Sequence, residues 1–258
     1  MDVFSQIQSL KEEMTRLQIQ AEEFSSSTEE SMLKLGIKPD MKVVDIGCGT
    51  GSVSFMISPM VGELGQVVGV DSNQYAIDYC NETARSQGIL NAKFIISDAT
   101  SLDFECHTFD VSYSRFLFQH VKDASKALRE MVRVTKPGGV VMVEDCDLFT
   151  WLLYPKNESV SKLWHWYESI QLERGTDPEI GRKLYAMFLD EGLEPSVDVY
   201  SKSVYLNRDV FWKSITAVLE KINNEELKRL INGIQEFAMT PNSIFVFPLV
   251  FRVWARTK

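Results

Sequence analysis

Over the first 24 positions apolar residues recur every third or fourth step, at Phe4, Ile7, Leu10, Met14, Leu17, Ala21 and Phe24, among Gln and Glu. That spacing predicts one stripe of an amphipathic helix. Ser25-Ser26-Ser27 interrupts it, and Ser27 with Glu30 forms a capping-box pattern for a second helix over 28–35, which Gly36 is placed to end. The period then changes. Val- and Ile-rich runs at 42–46, 65–71, 92–97, 110–114 and 140–144 predict strands, and the amphipathic stretches 52–61, 73–87 and 123–134 predict helices between them. Lys136-Pro137-Gly138-Gly139 is expected to be a turn. Short apolar strands alternating with helices predict an α/β fold with a mostly parallel sheet.

Past 147 the pattern loosens. Residues 155–173 predict an aromatic-rich helix, and Asp177-Pro178 opens another that runs to about 191. Positions 197–206 and 244–256 predict long strands, with helices 208–222 and 224–238 between them, the second capped by Asn223 with Glu226. A minimal strand–helix alternation requires neither 150–176 nor 207–241, so both are expected to be insertions on a single domain.

Composition narrows the classes. The 258 residues carry 27 Lys and Arg against 36 Asp and Glu, a net charge of −9. Such a balance lacks the basic face that nucleic acid or an anionic membrane surface demands. Cys48, Cys80, Cys106 and Cys146 form no C-x-x-C pair and no zinc pattern, so no metal is expected. Their neighbours look like core, which predicts reduced, buried thiols in a cytoplasmic protein. No signal-peptide pattern opens the chain, and no apolar run is long enough for a membrane span.

The chemistry concentrates at Val43-Val44-Asp45-Ile46-Gly47-Cys48-Gly49-Thr50-Gly51, where a strand runs into alternating glycines and then a helix. Glycine permits a sharp turn and close approach of a ligand. Asp71, ending the next strand 20 residues later, suits a ribose diol. The spacing G-x-G-x-G departs from the dinucleotide pattern G-x-G-x-x-G, and Asp45 two residues ahead of the loop would repel a phosphate but attract an amine. A ligand with an amino-acid end is expected in preference to a pyrophosphate.

The segment 45–51 resembles motif I of class I S-adenosylmethionine-dependent methyltransferases. Gly69-Val70-Asp71 resembles their ribose-binding strand end, Ser97-Asp98-Ala99 their adenine-binding segment, 114–121 the stretch after strand four, and 135–139 the turn before strand five. The resemblance implies a seven-stranded Rossmann-like sheet in the order 3-2-1-4-5-7-6, with strand seven antiparallel. It implies backbone contacts to the methionine part from Gly47, Cys48 and Gly49, and attraction of its ammonium by Asp45. Asp71 would hold the ribose, Ser72, Asp98 and Ala99 the adenine, and Ser114 and Arg115 would flank the sulfonium. His120 is the candidate general base, with a structural histidine as its alternative. Glu144, Asp145 and Asp147 are expected near the same cleft, as possible attractants of a cationic amine. Residues 1–35 are expected to act as a helical lid, 36–149 as the cofactor-binding core, and the two insertions as an acceptor cover rich in Trp and Tyr. The expected activity is methyl transfer to nitrogen or oxygen of a small molecule by a monomer or homodimer. Carbon transfer, protein methylation and non-catalytic cofactor binding stand as alternatives.

Overall fold

The computed structural model describes residues 11–204, 219 and 225–258. Residues 1–10 of the first predicted helix, the predicted helix over 208–222 and the Asn223 cap lie outside the described residues, apart from Leu219. Helix α1 (Lys11–Glu23) is followed almost at once by α2 (Ser25–Leu35). The expected capping box does not form. Phe24 occupies the cap position, and Ser27 and Thr28 lie inside the first turn, each donating a hydroxyl to Phe24 O at 2.8 Å. The serines expected to interrupt the helical pattern are therefore themselves helical. Gly36 ends α2 in the left-handed region, φ 63°, as its place after the last apolar residue requires.

The alternating core follows: β1 (Lys42–Ile46), α3 (Ser52–Val61), β2 (Gln66–Asp71), α4 (Gln74–Ser86), β3 (Ala92–Ile96), β4 (Phe109–Arg115), α5 (Ala124–Val134) and β5 (Thr135–Asp147). Asn73 caps α4 through Tyr75 N, and Asp123 caps α5 through Lys126 N. The expected turn at 136–139 is absorbed into an irregular start of β5, where the register to β4 shifts. Then come β6 (Leu152–Tyr154), α6 (Glu158–Glu173), α7 (Ile180–Asp190), β7 (Ser196–Tyr200), β8 (Ser203–Val204), α8 (Glu225–Ala238), β9 (Ile244–Val246) and β10 (Leu249–Arg256).

Seven strands form one sheet in the order β3-β2-β1-β4-β5-β10-β7, with β10 antiparallel to both neighbours. In main-sheet terms this is the expected 3-2-1-4-5-7-6. The strand predicted over 244–256 is two strands, interrupted at Phe247-Pro248, because proline has no N–H for a ladder. Its first part pairs with β6 and β8 in a separate three-stranded sheet that the sequence did not reveal.

Apolar side chains of β1, β2, β4 and β5 are buried on both faces, which is why these strands read as continuous hydrophobic runs. On one face pack Leu128 and Met131 of α5 with Leu184 and Phe188 of α7; on the other pack Ile57 of α3 and Ile77 of α4. A further cluster joins Phe24 to α6, α8 and the small sheet. β1 and β4 are adjacent and parallel, yet their flanking neighbours run outward in opposite directions, so their carboxyl ends open a crevice at the switch point.

Candidate functional site

The loop after β1 is shaped by its glycines. Gly47, Gly49 and Gly51 have φ of 75°, 51° and 74°. A Cβ on Gly47 would come within 2.9 Å of Leu117, and one on Gly51 within 2.9 Å of Phe55 and 3.0 Å of Phe94. At Gly49 the nearest atom to such a Cβ is Leu17 of α1, 3.8 Å away, so that face of the loop stays open toward the helix above it. Gly47 N and Cys48 N both donate to Val70 O, at 2.8 and 3.0 Å, tying the loop to β2. Asp71 completes the clip: Oδ2 accepts from Gly49 N and Oδ1 from Asn73 N, each at 2.9 Å. Burial pushes the Asp71 carboxyl up, against these N–H groups, which pull it down.

A cavity of about 700 Å³ lies over this loop, within the size range of small-molecule sites. Asp45, Gly47, Cys48, Gly49, Asp71, Ser72, Asp98, Ala99, Arg115 and His120 all line it. Asp45 is buried and accepts from Ser54 Oγ at 2.6 Å; burial raises its pKa to about 6, with the Arg115 charge opposing. Asp98 sits on the rim as an Asx turn, its Oδ1 taking Thr100 N at 2.8 Å. Arg115 reaches Thr28 Oγ1 on α2.

Ser114 differs. It is fully buried within the sheet, donating to Ile46 O at 2.9 Å, and it does not line the cavity. As an interior position of β4 it points between strands, one residue too early to reach the crevice. The three carboxylates at the end of β5 also differ from expectation, because their side chains are buried within the protein and none lines the cavity. Glu144 takes Tyr113, Tyr200, Ser31 and Arg252; Asp147 pairs with Arg182. Asp145 accepts from Cys146 N at 2.8 Å and Gln119 N at 3.1 Å, and burial raises it to about 7. It holds the segment after β4 in place from behind. Cys48, Cys80 and Cys146 are buried free thiols, whereas Cys106 is exposed, contrary to expectation. Among the described residues no His, Cys, Asp and Glu cluster suits a metal ion.

Met14, Leu17 and Ala21 of the apolar stripe predicted over the first helix line the cavity, and Glu13, Arg16 and Gln20 of α1, which carried no signal in the sequence, line it beside them. Arg16 makes a fork to Glu13, Nε to Oε2 and Nη2 to Oε1 at 2.7 Å each, and Nη1 donates to Gln20 at 2.8 Å. Arg174, just past α6, lines the same end. His120 Nδ1 meets Gln171 Nε2 at 3.2 Å, and burial with the charges of Arg174 and Arg16 lowers its pKa to about 3. Trp164, Trp166, Tyr167, Phe116 and Phe247 give the remaining wall an aromatic lining.

Residues 37–192 match the family model described as a methyltransferase domain, which is more than half of the chain. The chain is a class I S-adenosylmethionine-dependent methyltransferase. This methyltransferase is 34% identical over 165 residues to a methyltransferase of Schizosaccharomyces pombe, covering 62% of this chain and 58% of that one. It is 40% identical over 109 residues to a ubiquinone/menaquinone biosynthesis C-methyltransferase of Idiomarina loihiensis, covering 42% and 43%. The methyltransferase thus spans only about half the length of these relatives. A crystal structure of a putative methyltransferase from Bacillus halodurans superposes with a TM-score of 0.66 at 17% identity, over 90% of this chain and 98% of that one, which shows the shared fold. The cofactor is S-adenosylmethionine. Its family fits what the loop provides: a cradle that a Cβ on Gly49 would enter, a diol-sized carboxylate at Asp71 and a buried carboxyl at Asp45. Among the described residues no helix is long and apolar enough to cross a membrane.

Proposed function

We propose that this methyltransferase moves the methyl group of S-adenosylmethionine onto a carbon atom of a small acceptor with an apolar body. S-adenosylmethionine supplies the methyl on a positively charged sulfur, so the protein's task is positioning and exclusion of water. Asp71 would hold the ribose, Asp45 the ammonium, the backbone of 47–49 the carboxylate end, and Ser72, Asp98 and Ala99 the adenine edge. Arg115 would brace α2 over the sulfur side, without Ser114. Helices α1 and α2 would act as the cover.

The observation that carries the acceptor reading is the charge of the far end of the cavity. Of the acidic residues lining it among the described residues, Asp45, Asp71 and Asp98 belong to the loop end, Asp123 caps α5, and Glu13 has both oxygens on Arg16. A cationic amine would meet guanidinium groups there, with the β5 carboxylates turned inward. The name of the Idiomarina relative supports carbon over the nitrogen or oxygen expected from sequence. The test is transfer of a labelled methyl to a panel of ring enols, phenols and amines, with the new bond located by carbon NMR. Methylation confined to amines would overturn the carbon reading.

A further inference from the structure

We propose that Phe116 positions the acceptor: its ring is a fixed plate beside the donor methyl, and it selects acceptors with a flat, unsaturated body. The inference rests on the reading that the glycine-loop end of the same cavity holds S-adenosylmethionine. It does not depend on which acceptor atom is methylated.

The backbone makes the first argument. Among the described residues, those other than glycine with positive φ are Asp40, His107, Asn242 and Phe116. Asp, His and Asn are the types enriched in this region, whereas a bulky residue such as phenylalanine is an outlier there. Phe116 is nevertheless held at φ 54°. Its N–H donates to Glu144 O at 2.8 Å, and Gln119 N in the same segment donates to the buried Asp145 carboxylate at 3.1 Å. A strained residue persists where its surroundings over-determine it, and such residues cluster at ligand clamps.

What the conformation achieves makes the second. Gly47 is the first residue past β1 and Phe116 the first past β4, the adjacent strands whose carboxyl ends open the crevice. Leu117, directly after the left-handed residue, lies so close to Gly47 that a Cβ there would come within 2.9 Å of it. The segment is thus seated on the glycine loop. Phe116 itself lines the cavity, as does Phe247. The Phe116 ring stands 5.2 Å from that of Phe24 and 6.2 Å from that of Phe247, at 72° and 61°. Phe24, buried at the junction of α1 and α2, also meets Phe247 at 5.2 Å. The Arg115 guanidinium, bonded to Thr28 of α2, lies over the Phe116 ring at 5.8 Å from its centroid. These neighbours hold the ring in one orientation.

The demands of the reaction make the third. In-line transfer needs the acceptor held at a set tilt against the methyl, and contact with a fixed ring supplies that tilt for a flat body. A flat unsaturated body gains ring–ring attraction as well as burial, whereas a puckered saturated one of the same skeleton gains burial alone.

The experiment is calorimetry on protein loaded with S-adenosylhomocysteine, using 2-naphthol as the flat probe and decahydro-2-naphthol as its saturated counterpart. The readout is the ratio of their affinities, so differences in their hydration cancel between protein variants. Phe116→Leu keeps an apolar side chain and removes the ring. It should lower the ratio in favour of 2-naphthol about 2- to 10-fold, the range for an aromatic pair, with S-adenosylhomocysteine affinity unchanged. Phe116→Tyr keeps the ring and should keep the ratio. If the Leu variant does not fold, ring-labelled phenylalanine in the wild type stands in, and bound 2-naphthol should show nuclear Overhauser contacts to the Phe116 ring. A ratio unchanged by Phe116→Leu, equal weakening of both probes, no binding of 2-naphthol to the wild type, or no such contacts would overturn the plate with the cofactor reading intact. Failure of the wild-type protein to bind S-adenosylhomocysteine would instead overturn the cofactor reading on which the plate rests.

Discussion

Arg252 on β10 and Glu144 on β5 stand directly opposite each other across the antiparallel pair, and their side chains meet at 3.2 Å with both residues almost wholly buried. Arg252 continues to Ser27 O at 2.7 Å and Glu30 at 3.2 Å on α2, and Glu144 accepts from Ser31 at 2.5 Å. The pair thus fastens α2, and through it α1, to the sheet. Glu144→Ala leaves a buried guanidinium without its inner partner and should cost about 3–5 kcal/mol. The urea midpoint measures this, and a change within error would show that Glu30 and Asp198, the latter 3.7 Å from Arg252, suffice to compensate.

Asp71→Ala removes the clip on Gly49 N and the proposed ribose contact together. Loss of charge-assisted hydrogen bonds predicts weaker S-adenosylhomocysteine binding by about 2–4 kcal/mol. Calorimetry that finds wild-type affinity would remove Asp71 from the ribose assignment.

At Gly51, φ is 74° and a Cβ would meet Phe55 at 2.9 Å, Cys80 Sγ at 3.0 Å and Phe94 at 3.0 Å. Gly51→Ala should therefore destabilise by about 1–3 kcal/mol from crowding alone, with a further ~1–2 kcal/mol from the left-handed backbone. The thermal midpoint should drop by several degrees. An unchanged midpoint would mean that the loop moves aside at little cost.

Asp145 makes a prediction about pH. Its folded pKa of about 7 lies above the ordinary 3.8. The folded state then binds more protons than the unfolded chain between these values. The stabilisation from this group is full below the unfolded value and is lost as pH rises through about 7. Asp145→Asn removes that loss, so its urea midpoint should rise relative to wild type between pH 5 and pH 8. His120, held down to about 3, slopes the other way, losing stability as pH falls from its ordinary 6.5. Parallel curves for wild type and Asp145→Asn would contradict the assignment of this titration.

Removing residues 1–24 deletes the wall made by Met14, Leu17 and Ala21 while leaving β1 to β5 and their helices intact. The truncated chain should fold, bind S-adenosylhomocysteine more weakly and transfer little methyl. Hydrogen exchange in α1 should slow when the ligand is added to the full chain. Equal exchange with and without ligand would argue for a wall that is permanently docked.

The core from β1 to β5 was legible because its strands are apolar on both faces and its helices on one, so periodicity and burial agree. The loop end of the cavity was legible too, since Gly47, Gly49, Asp45 and Asp71 act through backbone shape and strand ends, which sequence spacing encodes. The far end was not. Arg16 sits on what reads as the solvent face of an amphipathic helix, and Arg174 follows a helix end, where a cation is ordinary. Glu144, Asp145 and Asp147 misled for the converse reason: acids at a strand's carboxyl end suggest a cleft, and only tertiary partners such as Arg252 and Arg182 reveal them as interior. A strand of three residues such as β6 carries too little pattern to register, and the long strand predicted over 197–206 is broken, with β7 ending at Tyr200 and β8 beginning at Ser203.

The reach of Arg252 back to Ser27, 225 residues earlier in the chain, also sets an order of assembly. On the ribosome α1 and α2 emerge long before β10, and the glycine loop can form with β1 to β5 while they wait. Contacts of such separation come late in folding, because the intervening chain must first be gathered in. A nascent methyltransferase interrupted before β10 would carry the whole glycine loop and Asp71, yet lack the strand that fastens its cover. The wall that α1 and α2 give the cavity thus waits on β10, and a chain that stops short of that strand would leave the glycine loop and Asp71 facing solvent.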